Sequence, residues 1–357
     1  MGCSIIGHNC DKYIWLTWRW ALESKFPGRI KRVFDTGKRE EERLVSDLRE
    51  LGIELYTIDE ESGKQISVNA HDGHFSGSVD GVGRGFEEGP KSWAVLECKT
   101  HNTKSFADLQ KKGVRESKPQ HYAQMQCYMG LLDIDRAMYL SQCKDSDDLY
   151  SEWVHFDQDV FDNYLDRAGR LIKSSTAPVK ISQDPSWYEC KWCDFYEHCH
   201  GEQIAQANCR TCCHATPEKN AAWHCEAHGK EITFQDQLKG CAQHLYIPDL
   251  VPFAKAVDGS ATHIAYKKED GTEFVNGSLP GQFKSTELAS IDPAMLGDKF
   301  VQEIKEIFGA EVGPSIADMK DDLELVYSED NSPEGKKFKA QIEKNKATIN
   351  ALKAMTR

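Results

Sequence analysis

No stretch of this chain is apolar for long enough to cross a bilayer. Charged residues make up 28% of it and hydrophobic ones 39%, and no run approaches the roughly 20 apolar residues of a spanning helix. No leader with a basic flank and an apolar centre is recognisable at the amino terminus. An intracellular, cytoplasmic protein without membrane contact is therefore expected. Positive charge is also short: 44 Lys and Arg face 57 Asp and Glu, a formal net charge of −13. That excludes a surface coated in cations but leaves room for a local basic cleft, to which a bound metal adds charge. The glycines at Gly83, Gly85 and Gly89 lack the Gly-Lys-Ser/Thr ending of a phosphate loop, so no ATP-driven motor is encoded. No internal repeat is present.

What is there begins with size. At 357 residues the chain can bury a sizeable core and hold more than one domain. Its 13 cysteines, in a chain read as intracellular, point to metal ligands rather than disulfides, and eight of them fall between Cys190 and Cys241. Cations gather twice: Lys25, Arg29, Lys31, Arg32, Lys38 and Arg39, then Lys99, Lys104, Lys111, Lys112, Arg115 and Lys118. A solvated surface is the plainer reading of either group.

The richest chemistry lies between His71 and Thr100. Gly77-Ser78-Val79-Asp80 is a short run ending in a carboxylate; Trp93 to Lys99 is a β-like run ending Glu97-Cys98-Lys99. The Gly- and Pro-rich turn between them predicts a hairpin. Strand alternation puts Glu97 and Lys99 on one face, with Leu96 and Cys98 toward the core, and Asp80 within reach of the polar face. Two carboxylates and a lysine suit phosphodiester hydrolysis assisted by Mg²⁺ or Mn²⁺, which prefer hard oxygen ligands. Lys99 would orient the attacking water or neutralise charge developing on the phosphate. An exposed hairpin with solvated charges is the rival.

With Asp80 as the first acid and Glu97-Cys98-Lys99 as the second motif, this stretch resembles the PD-(D/E)XK nuclease superfamily. Pro119-Gln-His-Tyr-Ala-Gln124-Met-Gln-Cys-Tyr128 is similar to the Gln-rich helix of its RecB-like and phage YqaJ-type branches. Gly37-Lys-Arg-Glu-Glu41 resembles the helix that supplies a further acid there. Glu41 shares a helical face with Leu44, Val45 and Leu48, which aims it at the sheet. The resemblance covers roughly the first two hundred residues, and four motifs in order are more specific than any one. It implies that Glu41, Asp80 and Glu97 hold the metal with the Cys98 carbonyl, while Gln124 and Tyr128 contact the DNA backbone. His71 and His74 read as structural or DNA-facing.

Farther on, Cys190-Lys-Trp-Cys193 and Cys199 are spaced like the cysteine triplet of iron–sulfur RecB-family nucleases such as AddB. That likeness implies a [4Fe–4S] cluster completed by Cys10, with Cys3 as an alternative. A zinc site using His198 or His200 is the rival. A second group, Cys209, Cys212, Cys225 and Cys241, resembles a zinc ribbon, with His228 or His244 as substitutes. Its Zn²⁺ would be structural.

The expected fold is α/β: a nuclease core over 1–200 with a mixed central sheet flanked by helices, a zinc-binding module over 201–250, a small α+β appendage over 251–315, and a charged tail over 316–357. Expected elements are a helix from Ser4, a helix over 38–51, strands at 53–58, 65–68, 136–142 and 153–156, a polar loop over 102–118, and a helix over 159–174. A hairpin at Asp270-Gly271 and a helix over 299–308 complete the list. The expected function is a metal-dependent DNA exonuclease of phage-type recombination or repair, placed by that likeness in the cytoplasm of a bacterial host. Linear duplex or single-stranded DNA is the expected partner, an annealing protein a possible companion, and homo-oligomers stay open. The alternatives are a structure-specific or restriction-like endonuclease, or a non-catalytic nucleic-acid-binding accessory protein.

Overall fold

A computed structural model describes residues 1–313, so the charged tail expected over 316–357 lies outside the described residues. In chain order come α1 (Asp11–Trp18), α2 (Gly28–Glu50), β1 (Glu54–Tyr56), β2 (Ser67–Ala70), β3 (Phe75–Ser78), β4 (Gly81–Arg84) and β5 (Ala94–His101). Then follow α3 (Thr103–Ser117), α4 (Pro119–Leu132), β6 (Arg136–Cys143), β7 (Leu149–His155) and α5 (Gln158–Lys173). The molecule is mixed α/β. Its central sheet has the order β1-β4-β5-β6-β7. Only β5 and β6 run parallel within it; the other pairs are antiparallel.

The central strand β5 is buried on both faces. Leu96 and Cys98 join Leu44 and Val45 of α2 and Met138 and Leu140 of β6 in one apolar cluster. Val95 packs the opposite way, with Tyr128 and Met125 of α4 and Tyr139 of β6. Because β5 and β6 are in register with Glu97 beside Tyr139 and Lys99 beside Ser141, these four side chains share the face under α4.

The remaining elements are short: α6 (Tyr188–Lys191), α7 (Tyr196–His200), β8 (Ala215–Pro217), β9 (Trp223–Cys225), β10 (Lys230–Glu231) and α8 (Phe234–Gln237). Strands β10-β9-β8 form a three-stranded sheet, and β11 (Ala254–Gly259), β12 (His263–Lys268) and β13 (Glu273–Gly277) another. Helices α9 (Ser285–Leu288) and α10 (Lys299–Phe308) follow. A further apolar cluster ties Ile14, Trp15 and Leu16 of α1 to Leu245, Tyr246, Tyr266 and Leu288, far along the chain.

Several expectations need correction. The helix expected from Ser4 begins at Asp11, after a single 3-10 turn at Cys3–Ile5. The helix carrying Glu41 starts at Gly28, not near residue 38. The run ending in Asp80 is not the hairpin partner of β5: β3 pairs with β2, while β4, just after Asp80, pairs with β5. Residues 103–117 form a helix rather than a polar loop, because Phe106, Leu109 and Val114 give it a buried stripe and Asn102 caps it through Ser105 N. Among the described residues no helix is long and apolar enough to cross a membrane.

Candidate active site

Asp80 sits in the link between β3 and β4, and its placement has a visible cause. The Tyr128 hydroxyl donates to the Ser78 carbonyl at 2.7 Å and receives the Gln124 side-chain amide at 2.9 Å. The Tyr128 ring lies so close to Gly77 that a Cβ there would be 2.6 Å from its Cε1. Only glycine allows this approach. From that anchored turn the Asp80 carboxylate accepts the Cys98 amide at 2.8 Å, locking it to β5.

Glu97 is wholly buried. Its one partner is the Lys99 ammonium, held in an ion pair at Oε1, and no backbone amide or other side chain donates to either oxygen. Burial pushes the Glu97 carboxyl up to about 7, with Lys99 opposing and Asp80 and Glu41 reinforcing the rise. Burial likewise raises the half-buried Asp80, against the pull of Lys99 and the Cys98 amide. Glu41, reaching in from α2, is raised by burial and then by Asp80. Lys99 is raised despite its burial, by Glu97 and Asp80. Three acids and one amine thus feel one another in a single pocket.

Two expectations change. Exposure is uneven on the polar face of β5: Glu97 is buried, while Lys99, Asp80 and Glu41 stay partly exposed. Tyr128 is 2% exposed with its hydroxyl on the Ser78 carbonyl, so it holds the Asp80 turn; Gln124 is 7% exposed and holds Tyr128.

Other residues were missed. The Tyr139 hydroxyl lies 2.9 Å from both His101 Nε2 and His121 Nδ1, and Ser105 Oγ lies 3.1 Å from His101 Nδ1. Burial holds the two imidazoles low, to about 4 and about 3. The signal existed: Glu97, Lys99 and His101 alternate on one strand face, as do Tyr139 and Ser141. His71 and His74 are spent on the carbonyls of Leu165 and Glu218, both at 2.7 Å.

The cysteines fall into two places. Cys10, Cys190, Cys193 and Cys199 line one small cavity with His8 and His200. Cys3 is buried in the central apolar cluster instead, which removes it as the fourth member. His198 Nδ1 donates to the Gln203 carbonyl at 2.8 Å. Cys209, pushed up to about 12 by burial, also feels Cys212, Cys241 and Cys225. His228 Nε2 is 3.5 Å from Cys241 Sγ, whereas His244 is taken by the Asn208 carbonyl at 2.9 Å. Among the described residues, no three His, Cys, Asp or Glu side chains already stand in positions that would hold a metal ion.

Comparison with solved structures finds an alkaline exonuclease (LHK-Exo) from Laribacter hongkongensis, 14% identical, covering 48% of this chain and 85% of that protein with a TM-score of 0.36. The same enzyme in complex with dAMP gives the same figures. SSO0001 is 16% identical and covers 56% of this chain and 86% of that one, with a TM-score of 0.34. No protein-family profile and no curated protein sequence matches.

Proposed function

We propose that this chain is a metal-dependent nuclease hydrolysing phosphodiester bonds of DNA, acting from strand ends. The supporting observation is Glu97: a fully buried carboxylate whose one partner is the Lys99 ammonium, beside Asp80 and Glu41. Burying such a group is costly unless it is paired or bound to a cation. An all-oxygen donor set fits Mg²⁺ or Mn²⁺. Glu41, Asp80, Glu97 and the Cys98 carbonyl would hold the ion, with the Lys99 ammonium moving off Glu97 toward the reacting phosphate. The ion would supply polarisation of the phosphate and a more acidic water. Lys99 then balances charge developing on the phosphate oxygens. Gln124, Tyr128 and Gly77 keep Asp80 in place while strands move through.

Linear duplex incubated with Mg²⁺ should be degraded, covalently closed circles spared, and chelator should stop the reaction. Rapid nicking of closed circles would favour an endonuclease; no cleavage of any substrate would favour a binding protein.

The cavity of Cys10, Cys190, Cys193 and Cys199 is our proposed [4Fe–4S] site, with zinc the rival. The quartet Cys209, Cys212, Cys225 and Cys241 is our proposed Zn²⁺ site. We propose the same residue ranges for the nuclease core, zinc-binding module and appendage as the sequence indicates.

A further inference from the structure

Helix α2 divides into two unlike halves. From Leu44 onward it lies on the sheet, while residues 28–39 project with most side chains exposed. The projecting half and its approach hold Lys25, Arg29, Lys31, Arg32, Lys38 and Arg39 against two acids, Glu23, which pairs with Lys25 at 3.9 Å, and Asp35, which pairs with Arg39 at 2.7 Å. Arg29, Lys31, Arg32 and Lys38 make no ion pair among the described residues. This charge order opposes the helix macrodipole, which disfavours cations near an amino terminus. In a chain of net charge −13, such a concentration calls for an external anion.

The helix also keeps its apolar stripe where nothing covers it. Gly37, Phe34 and Ile30 lie on the face of Glu41, four, seven and eleven residues before it. Phe34 is 54% exposed, with the Phe26 ring set edge-on at 5.1 Å. Between Phe34 and Glu41 stands Gly37, a helix-interior glycine at which a Cβ would meet nothing within 4 Å. Glycine there weakens the helix relative to alanine, yet the protein itself makes no use of the space.

We propose that this half of α2 is a nucleic-acid arm: its cations hold the phosphate chain, the strand crosses α2 at Gly37, and a base stacks on Phe34. The substrate class rests on the nuclease reading above. From Glu41 to Phe34 the helix rises about 10 Å, about three base steps at 3.4 Å each. The stacked base therefore lies about three nucleotides from the bond cleaved. Stacking and phosphate contacts are indifferent to sequence, which suits digestion from an end.

The test measures binding of fluorescent single-stranded and duplex oligonucleotides in chelator across a salt series, with folding checked by circular dichroism. Replacing Arg29→Glu, Lys31→Glu and Arg32→Glu together should weaken binding at least tenfold and flatten the slope of log Kd against log salt by about two to three. Phe34→Ala should weaken single-strand binding about tenfold. Gly37→Leu should melt at or above the wild-type temperature yet lose affinity for single strands. Affinity and salt slope within twofold of wild type in the triple variant would overturn the arm. Wild-type binding lost in that variant, without cleavage by any form, would keep the arm and sink the nuclease reading. Cleavage with unchanged binding in the variants would do the reverse, and a wild type that neither binds nor cleaves would sink both.

Discussion

Glu97 and Tyr128 share one pocket but answer different experiments. Glu97→Gln keeps the shape and removes the charge, so cleavage should fall about a hundredfold or more, as for loss of one electrostatic element of a site. Wild-type rates in that variant would move the chemistry elsewhere. Tyr128→Phe keeps the ring against Gly77 and leaves the Ser78 carbonyl without its donor. That should cost about 1–3 kcal/mol of stability. Because Tyr128 positions Asp80, the Mg²⁺ concentration needed for half-maximal rate should rise while the Michaelis constant for DNA holds. A rise in the DNA constant alone would mean that Tyr128 touches substrate after all. The nearness of Asp80, Glu97 and Lys99 was legible because two strand-like runs each end in charge. The burial of Glu97 was not: it depends on α4 packing over the sheet, a contact between segments that local alternation does not encode.

Among the elements, α5 and α10 stand out in the sequence because each joins a strong apolar period to an aspartate cap, Asp157 and Asp298. Helix α3 hides for an identifiable reason. Gly113 takes φ +73 inside it, breaking the period, and the exposed lysines dominate its composition. The kink is held by Glu152 of β7, whose carboxylate accepts the Val114 amide at 2.8 Å and the Tyr150 hydroxyl at 2.5 Å. Gly113→Ala forces a side chain into a left-handed conformation against that carboxylate. It should destabilise by about 1–2 kcal/mol, measured by urea unfolding; an unchanged midpoint would show that α3 straightens freely. The proposed cluster joins elements as well. Cys10 precedes α1, while Cys190 and Cys199 lie on α6 and α7. If one [4Fe–4S] unit bridges them, anaerobic protein should be brown, and Cys10→Ser and Cys193→Ser should each lose iron and stability. Zinc at Cys209 should survive both. Colourless protein with zinc at both sites would refute iron there.

Across the whole molecule, burial leaves a pH signature. Eight of 13 histidines (His8, His74, His101, His121, His198, His200, His214 and His244) are held below their ordinary value, each chiefly by desolvation. A folded pKa below the unfolded one means that the unfolded chain binds protons first. Stability is then whole above about 6.5 and is lost as pH falls, most through the well-buried His121, His198 and His244. Raised carboxyls at Glu41, Asp80 and Glu97 act oppositely, losing stability as pH rises, with the Glu97 share fading by about 7. The raised carboxyls have shed their share by about pH 7, and between pH 7 and pH 5 the buried imidazoles set the trend toward acid lability. The urea midpoint should drop sharply between pH 7 and pH 5, and a flat profile would contradict the burial of these rings.

The cluster that seats α1 has a consequence for how the chain is made. Ile14, Trp15 and Leu16 share their cluster with Leu171 and Phe195, and also with Tyr246, Tyr266 and Leu288, which leave the ribosome about 230–270 residues later. At roughly 5–20 residues per second, that face waits on the order of 10–50 seconds for the last of its cover. Until those late residues arrive, two bulky aliphatic side chains and an indole lack part of their cover and are open to chaperones and to neighbouring nascent chains.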